Sequence, residues 1–409
     1  MLPCLEIQLG LGYNRYIKGV NLAKLKAKVL AEVDSRRHQL ESLSLEIHSH
    51  PELGFQEHRA SSLLARYLAE NGFAVELGVC QLPTAFRASY GSGKPTIAIL
   101  AEYDALPQLG HACGHNLIAG AAVGAALAAE VAVDHFGGSL LVIGTPAEEL
   151  YGGKIVMVDR GAFDNVDMVM IVHPGAYDTA TTKTLACISL KVEFFGREVH
   201  AAANPEAGIN ALEAMLQSFS AINSLRQHIK DGARIHGIII DGGQAANIVP
   251  AHSAGSFLVR AEDNTYLEEL KQKVLNCFLG AATASGARLD YKWSKLQYTP
   301  MCNNLIMARL FAKNMRSLGR EVKLADPSQI FGSTDMGNVS QVVPSIHPFV
   351  AIAPTKITSH STEFVAAAAS KAGMKGMIDA AKALALTVVD LLASPETVAK
   401  AKKEFIKNT

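Results

Sequence analysis

Leu22, Leu25, Val29, Val33, Leu40, Leu43 and Ile47 recur at steps of three, four or seven, which predicts one long amphipathic helix ending before a turn at Pro51 and Gly54. Short β-rich runs follow at 73–77, 84–90, 96–101, 139–145 and 167–172, several of them alternating with helical stretches. Such alternation predicts an α/β layered fold with a largely parallel sheet. From about residue 185 the texture changes to strand (185–195), helix (206–228), strand (235–240), strand (253–261), helix (266–284) and strand (288–293). That order is the βαββαβ unit of ferredoxin-like folds. It predicts an insert over 185–300 between two parts of a first domain, 1–184 and 301–409, the second part carrying helices at 304–318 and 371–392.

The longest apolar run, 117–129, has 13 residues, short of the ~20 that span a bilayer, and reads as a buried helix. Lys plus Arg and Asp plus Glu each number 38, so no excess charge points to nucleic acid or an anionic membrane as a partner. The 6 cysteines are widely spaced and form no disulfide framework. Glu6 and Gln8 interrupt the apolar start of the chain, which lacks an early basic cluster and so does not read as a secretory signal. A cytoplasmic, reducing location is expected.

Residues able to bind a metal follow three of the predicted strands: Glu102 to Asp104 with His111-Ala-Cys113-Gly-His115-Asn116, then Glu148-Glu149, then His173. In an open parallel sheet the ligand crevice lies beyond the carboxyl ends of the strands, so these groups should converge. Alone, Cys113 reads as a small buried hydrophobe ahead of a packed helix, and His173 as a strand-end histidine. Together they change the reading, because thiolate and imidazole suit zinc, with manganese or cobalt also accommodated once carboxylate joins them. The adjacent glutamates follow an apolar strand, a costly place for two carboxylates unless a cation balances them. With a metal present, one would bind it while its neighbour accepts a proton from water activated there. His360 lies in a polar turn at 358–364, as readily a surface histidine as a ligand.

These residues resemble the family of dinuclear metallopeptidases and amidohydrolases that includes aminoacylase, glutamate carboxypeptidase and the plant auxin-conjugate amidohydrolases. Within it, the chain is most similar to the branch of aminobenzoyl-glutamate hydrolase and the β-alanyl-lysine dipeptidase-like proteins. The likeness runs from about His48 to about residue 390. Its motifs are His50-Pro-Glu-Leu-Gly-Phe55-Gln-Glu57, Glu102-Tyr-Asp-Ala-Leu-Pro107, His111-Ala-Cys-Gly-His-Asn116, Thr145-Pro-Ala-Glu-Glu149, Gly242-Gly-Gln-Ala-Ala-Asn247-Ile-Val-Pro250 and Gly332-Ser-Thr-Asp-Met-Gly337. The resemblance implies two divalent metal ions held by Cys113, His115, Glu149, His173 and His360, with the Cys113 thiolate able to bridge them. It implies Glu148 as general acid/base and Asp104 as the group orienting a ligand. It also implies a zinc-peptidase-like three-layer catalytic domain interrupted by a ferredoxin-like lid through which the chain forms a homodimer. His200 would reach the partner's site and stabilise an oxyanion, while Asn247 and Arg260 would hold a substrate carboxylate. Read without the resemblance, Asn247 is a strand-turn cap and Arg260 a surface strand charge. Asn116 and Glu102 depart from related branches, which carry aspartate and a histidine ligand there, so Glu102 is either an extra ligand or a strand-end carboxylate.

His48-Ser-His50 has the H-x-H form of barrel-type metal amidohydrolases but ends a helical pattern. Gly91-Ser-Gly93-Lys94 lacks the first glycine and the terminal Ser/Thr of a phosphate loop and reads as a hairpin turn. The expectation is a metal-dependent amidohydrolase acting on N-acyl amino acids or small dipeptide-like substrates with a free carboxylate. Two other readings compete: a non-catalytic dimeric adaptor of the same fold, and a thiol amidase using Cys113 with His115 as base.

Overall fold

The computed structural model describes residues 16–17, 20–324 and 332–408. The amphipathic N-terminal stretch forms two helices, Leu22–Ser35 and Arg37–Ser49, instead of the single one predicted. Arg36 leaves helical geometry at φ −93° and ψ 1°, and its guanidinium bonds Glu32 and Asn71. The apolar spacing stays in phase across the break, so Val29, Val33, Leu40, Leu43 and Ile47 all reach one core.

The first sheet has six strands in the order Ser345–Ile346, Met168–Met170, Thr96–Ala101, Gly138–Gly144, Phe86–Ser92 and Ala74–Leu77. The first four are mutually parallel, and the last two join antiparallel at one edge. Thr96–Ala101 is buried throughout, and its side chains alternate between two cores. Ile97, Ile99 and Ala101 face the long helices, while Ala98 and Leu100 face a smaller cluster with Met157, Phe163 and Met336. That period of two produces the three layers.

His115–Phe136 is apolar enough to cross a membrane by length and composition, yet 89% of its apolar window is buried inside the protein. It packs on Lys371–Leu392 at close range because small residues line it: a Cβ on Gly120 would lie 2.3 Å from Met377 Sδ.

A second sheet, antiparallel, has the order Arg234–Asp241, His252–Ala261, Ala186–Phe195 and Arg288–Tyr298. Helices Ala211–Leu225 and Asn264–Ser285 cover one face around Leu190, Phe194, Met215, Phe257 and Phe278. The first of these helices starts later than the predicted 206 because the Asn210 side chain caps it by accepting from the Glu213 amide. Residues 91–95 are not the predicted hairpin turn. The strands they join, Phe86–Ser92 and Thr96–Ala101, lie on opposite sides of Gly138–Gly144, and Lys94 Nζ donates to the Asn165 carbonyl.

Candidate metal centre

Three adjacent parallel strands end on the same side, and the predicted metal-binding residues follow them. Gly114 (φ +74°) turns the chain between Cys113 and His115, and a Cβ there would lie 2.7 Å from Pro174 Cγ. Hence only glycine lets the Cys113 segment lie against the His173 segment. His115 Nδ1 is 2.9 Å from both the carbonyl oxygen and Oδ1 of Asp104, so Nδ1 donates and Nε2 is left free as a ligand atom. Asp104 Oδ2 in turn accepts from the Glu149 amide at 3.0 Å. His173 Nδ1 donates to the Pro174 carbonyl at 2.7 Å, which frees its Nε2 in the same way. His360 Nε2 lies 3.0 Å from Cys113 Sγ and 3.4 Å from Glu149 Oε2.

The donor atoms form three overlapping groups, each within 4.8 Å: Cys113, His115 and His173; Cys113, Glu149 and His360; His115, Glu148 and Glu149. His115 Nε2 and Glu149 Oε1 are buried without a hydrogen-bond partner. Buried polar atoms seldom stay unpaired, so orphaned donor atoms facing one another fit a cation between them. Cys113 belongs to two of the groups, which therefore suffice for two ions sharing its sulfur.

The electrostatics separate the two glutamates. Burial, then Glu149 and Asp335, raise the Glu148 carboxyl well above its ordinary range. Burial also pushes Glu149 upward, but His360, His115 and Cys113 outweigh it and bring the carboxyl down to about 2. One member is thus held as an anion and the other is a group able to carry a proton. Burial, and then Glu149, raise the Cys113 thiol well above its usual range, so without a nearby cation it stays protonated. The imidazole hydrogen-bonded to the sulfur is that of His360, not the His115 expected as base in the thiol reading.

These groups open on a cavity of about 320 Å³ whose walls include Thr182, Thr184, Thr334, His347 and Phe349. His347, which the sequence pattern did not mark, is buried with neither ring nitrogen bonded, and its ring meets His173 edge-on at 5.6 Å. Lys154 was also unmarked, although a lone lysine before Ile-Val-Met-Val in an apolar helix signals a buried partner. Its Nζ lies 2.6 Å from Glu102 and 2.8 Å from Asp335, with all three side chains fully buried. The other oxygen of Glu102 is 3.4 Å from His115 Nε2.

The remaining predicted residues lie apart. Arg260 donates to Ser333, which sits between the cavity-lining Gly332 and Thr334. His200 and Asn247 are exposed neighbours: the Ala201 amide donates to the Asn247 carbonyl, and neither residue lines the cavity. His48 and His50 bond the Val365 and Glu46 carbonyls, which gives the H-x-H pair a structural role.

A three-layer sheet whose strand ends gather a thiol, three imidazoles and paired glutamates defines a metal-dependent hydrolase. Residues 98–383 match Peptidase family M20/M25/M40. The chain is 38% identical over 403 residues to the Xaa-Arg dipeptidase of Mus musculus, covering 94% of this chain and 93% of the relative. It is 31% identical to one of the subunits of p-aminobenzoyl-glutamate hydrolase of Escherichia coli (strain K12), over 88% of this chain and 90% of that one. A solved Bacillus subtilis structure, described as a dinuclear metal binding peptidase from the M20 family, shares the fold with a TM-score of 0.69 at 19% identity, covering 88% and 99% of the two chains. The chain therefore belongs to the M20 peptidase family and is a metal-dependent hydrolase of the amidohydrolase and dipeptidase kind.

Proposed function

We propose that the protein hydrolyses the amide bond of dipeptides, or of N-acyl amino acids, that carry a free carboxylate, with Glu148 as general acid/base. The observation that carries this reading is the pair Glu148 and Glu149, one held as an anion and one pushed toward its protonated form, beside Cys113, His115, His173 and His360. Because one relative is an Xaa-Arg dipeptidase, dipeptides with a C-terminal arginine are the first substrates to test. Two divalent ions, zinc first and manganese or cobalt next, would be held by Cys113, His115, Glu149, His173 and His360. When bound, they supply Lewis acidity for the scissile carbonyl and lower the pKa of water. Glu148 takes the proton of the attacking water and delivers it to the departing amine. Asp104 fixes the His115 ring and the Glu149 amide.

Residues 185–300 would act as lid and dimerisation domain between catalytic parts 1–184 and 301–409. His200, exposed and away from its own cavity, would serve the oxyanion in the site of a second copy, while Asn247 and Arg260 would hold the substrate carboxylate. The edge strand Arg234–Asp241 exposes Ile238 at 64% and Ile240 at 58%, which suits pairing with the same strand of a second copy. The five cysteines free among the described residues agree with a cytoplasmic location.

The test is release of free amino acid from a panel of Xaa-Arg and β-alanyl dipeptides, aminobenzoyl-glutamate and N-acyl amino acids by zinc- or manganese-loaded protein. Chelator-sensitive release is expected. Glu148→Ala should keep its metal and lose about 10²- to 10⁴-fold in kcat. Near-normal turnover in that variant refutes the assignment.

A further inference from the structure

The segment 50–57 has no part in the chemistry above, yet the structure wraps it around the turn that carries Glu148 and Glu149. The Glu57 carboxylate is fully buried. Its Oε1 accepts from the Ala147 amide at 2.8 Å, and its Oε2 accepts from Thr84 Oγ1 at 2.9 Å. Ala147 has φ +62° and ψ 43°, a left-handed conformation that a residue with a Cβ rarely adopts. Such a conformation persists only where the surroundings enforce it, and it gathers at functional sites.

Other residues of the segment grip the same turn. A Cβ on Gly54 would lie 2.9 Å from the Ala147 Cβ and 3.1 Å from Tyr151, so the two backbones approach as closely as glycine allows. Phe55 stacks on Tyr151 with ring centroids 5.5 Å apart. The Ala105 amide donates to the Glu52 carbonyl, which ties the segment to the strand end bearing Asp104. The two backbone amides that flank Glu148 are thus each held by a buried carboxylate, Ala147 by Glu57 and Glu149 by Asp104.

We infer that Glu57 is a positioning residue of the active site: its carboxylate anchors the strained Ala147 amide and, with Asp104 on the other side, aims the Glu148 carboxyl at the reacting atoms. The inference rests on the reading of Glu148 as general acid/base. Glu57 itself lines no part of the cavity, so it acts through the backbone. A side chain that only filled the core would affect folding without singling out the chemical step.

The test compares Glu57→Ala, Glu57→Gln and Gly54→Ala with the unaltered protein. Each is measured for metal content, thermal unfolding, KM and kcat on the best dipeptide of the panel. Glu57→Ala should keep the metal content and KM while kcat falls by about 10²-fold, the scale of a displacement of about 1 Å at a reacting group. Glu57→Gln still offers an oxygen to the Ala147 amide and an amide nitrogen to the Thr84 hydroxyl, so it should stay within about fivefold of normal kcat. Gly54→Ala pushes the turn from its other face and should lower kcat in the same way. It carries the test alone if Glu57→Ala does not fold. The inference is overturned if Glu57→Ala, or Gly54→Ala in its place, keeps normal kcat, or if Glu57→Gln loses as much as Glu57→Ala. Glu148→Ala in the same assay separates the two ideas: an active Glu148→Ala refutes the acid/base reading, whereas an inactive one beside a fully active Glu57→Ala refutes only the anchor.

Discussion

Lys154 offers the most direct test of how the floor of the site is balanced. Its ammonium lies between Glu102 and Asp335 with no exposed surface on any of the three side chains, and its own amide also donates to Asp335 at 2.9 Å. Burial lowers its proton affinity, but Asp335 and Glu102 outweigh that and hold it firmly charged. Replacing it by Met preserves most of the volume and leaves two buried carboxylates without their cation. Removing one partner of a buried ion pair costs about 3–5 kcal/mol. If the proposed catalytic parts, roughly 290 residues, melt as one unit, their melting entropy is near 0.6 kcal/mol per kelvin and Lys154→Met should lower Tm by about 5–8 °C. The measurement belongs on metal-free protein in excess chelator, because a bound ion would itself shift the equilibrium. The triple variant Lys154→Met, Glu102→Gln, Asp335→Asn removes the charges together and should recover most of the loss, since neutral replacement of a whole buried network is often close to neutral in stability. A Tm within about 1 °C of normal for the single variant, or a triple variant as unstable as the single, refutes the charge-balance account.

Two further outcomes follow from other parts of the molecule. Burial, then the neighbouring Asp104, push the Glu57 carboxyl from 4.5 up to about 7. Between those values the folded chain holds a proton that the unfolded chain has released, so this group's contribution falls as pH rises through the window, by roughly 3 kcal/mol in all. Glu57→Gln has no such titration, so its Tm relative to the unaltered, metal-free protein should climb between pH 5 and pH 8; a constant difference refutes the shift. On the second sheet, Ile238→Asp with Ile240→Asp should give a monomer by light scattering, with metal content unchanged and kcat reduced because His200 no longer reaches a second site. A dimer that survives, or a fully active monomer, counts against edge-strand pairing, and activity regained on mixing His200→Ala with Glu148→Ala chains supports action in trans.

The parts of the site that were legible in the sequence are those where chemistry and periodicity coincide. Cys113, His115, Glu148, Glu149 and His173 are residue types that metals select, and each follows a strand whose apolar run shows locally. Strand 96–101 was readable to the residue because it is buried on both faces, which leaves an unbroken apolar run. The helix break at Arg36 was not, since Val33 and Leu40 lie seven apart and the pattern runs through it unaltered. His347 follows a strand of two residues, too short for any periodicity to show.

The contacts of Lys154, and of Glu57 at the end of its motif, were hidden for a different reason, which bears on how this site is built. Their partners lie far away in sequence: Asp335 is 181 residues from Lys154, and Ala147 is 90 residues from Glu57. Lys154, charged in an apolar stretch, reveals that it needs a partner but not which one, and Glu57, in a polar stretch, does not reveal even that, because both pairings are settled only when the sheet brings distant strand ends together. Both residues serve elements that the sequence did reveal, Lys154 beneath Glu102 and Glu57 behind the turn of Glu148. The reacting groups are therefore local choices set on strand ends, whereas their alignment depends on contacts that exist only in the complete fold. Loss of such a contact should appear first as a loss of kcat and only later as a loss of metal, because the donor atoms remain on their strands while the turn that aims Glu148 relaxes.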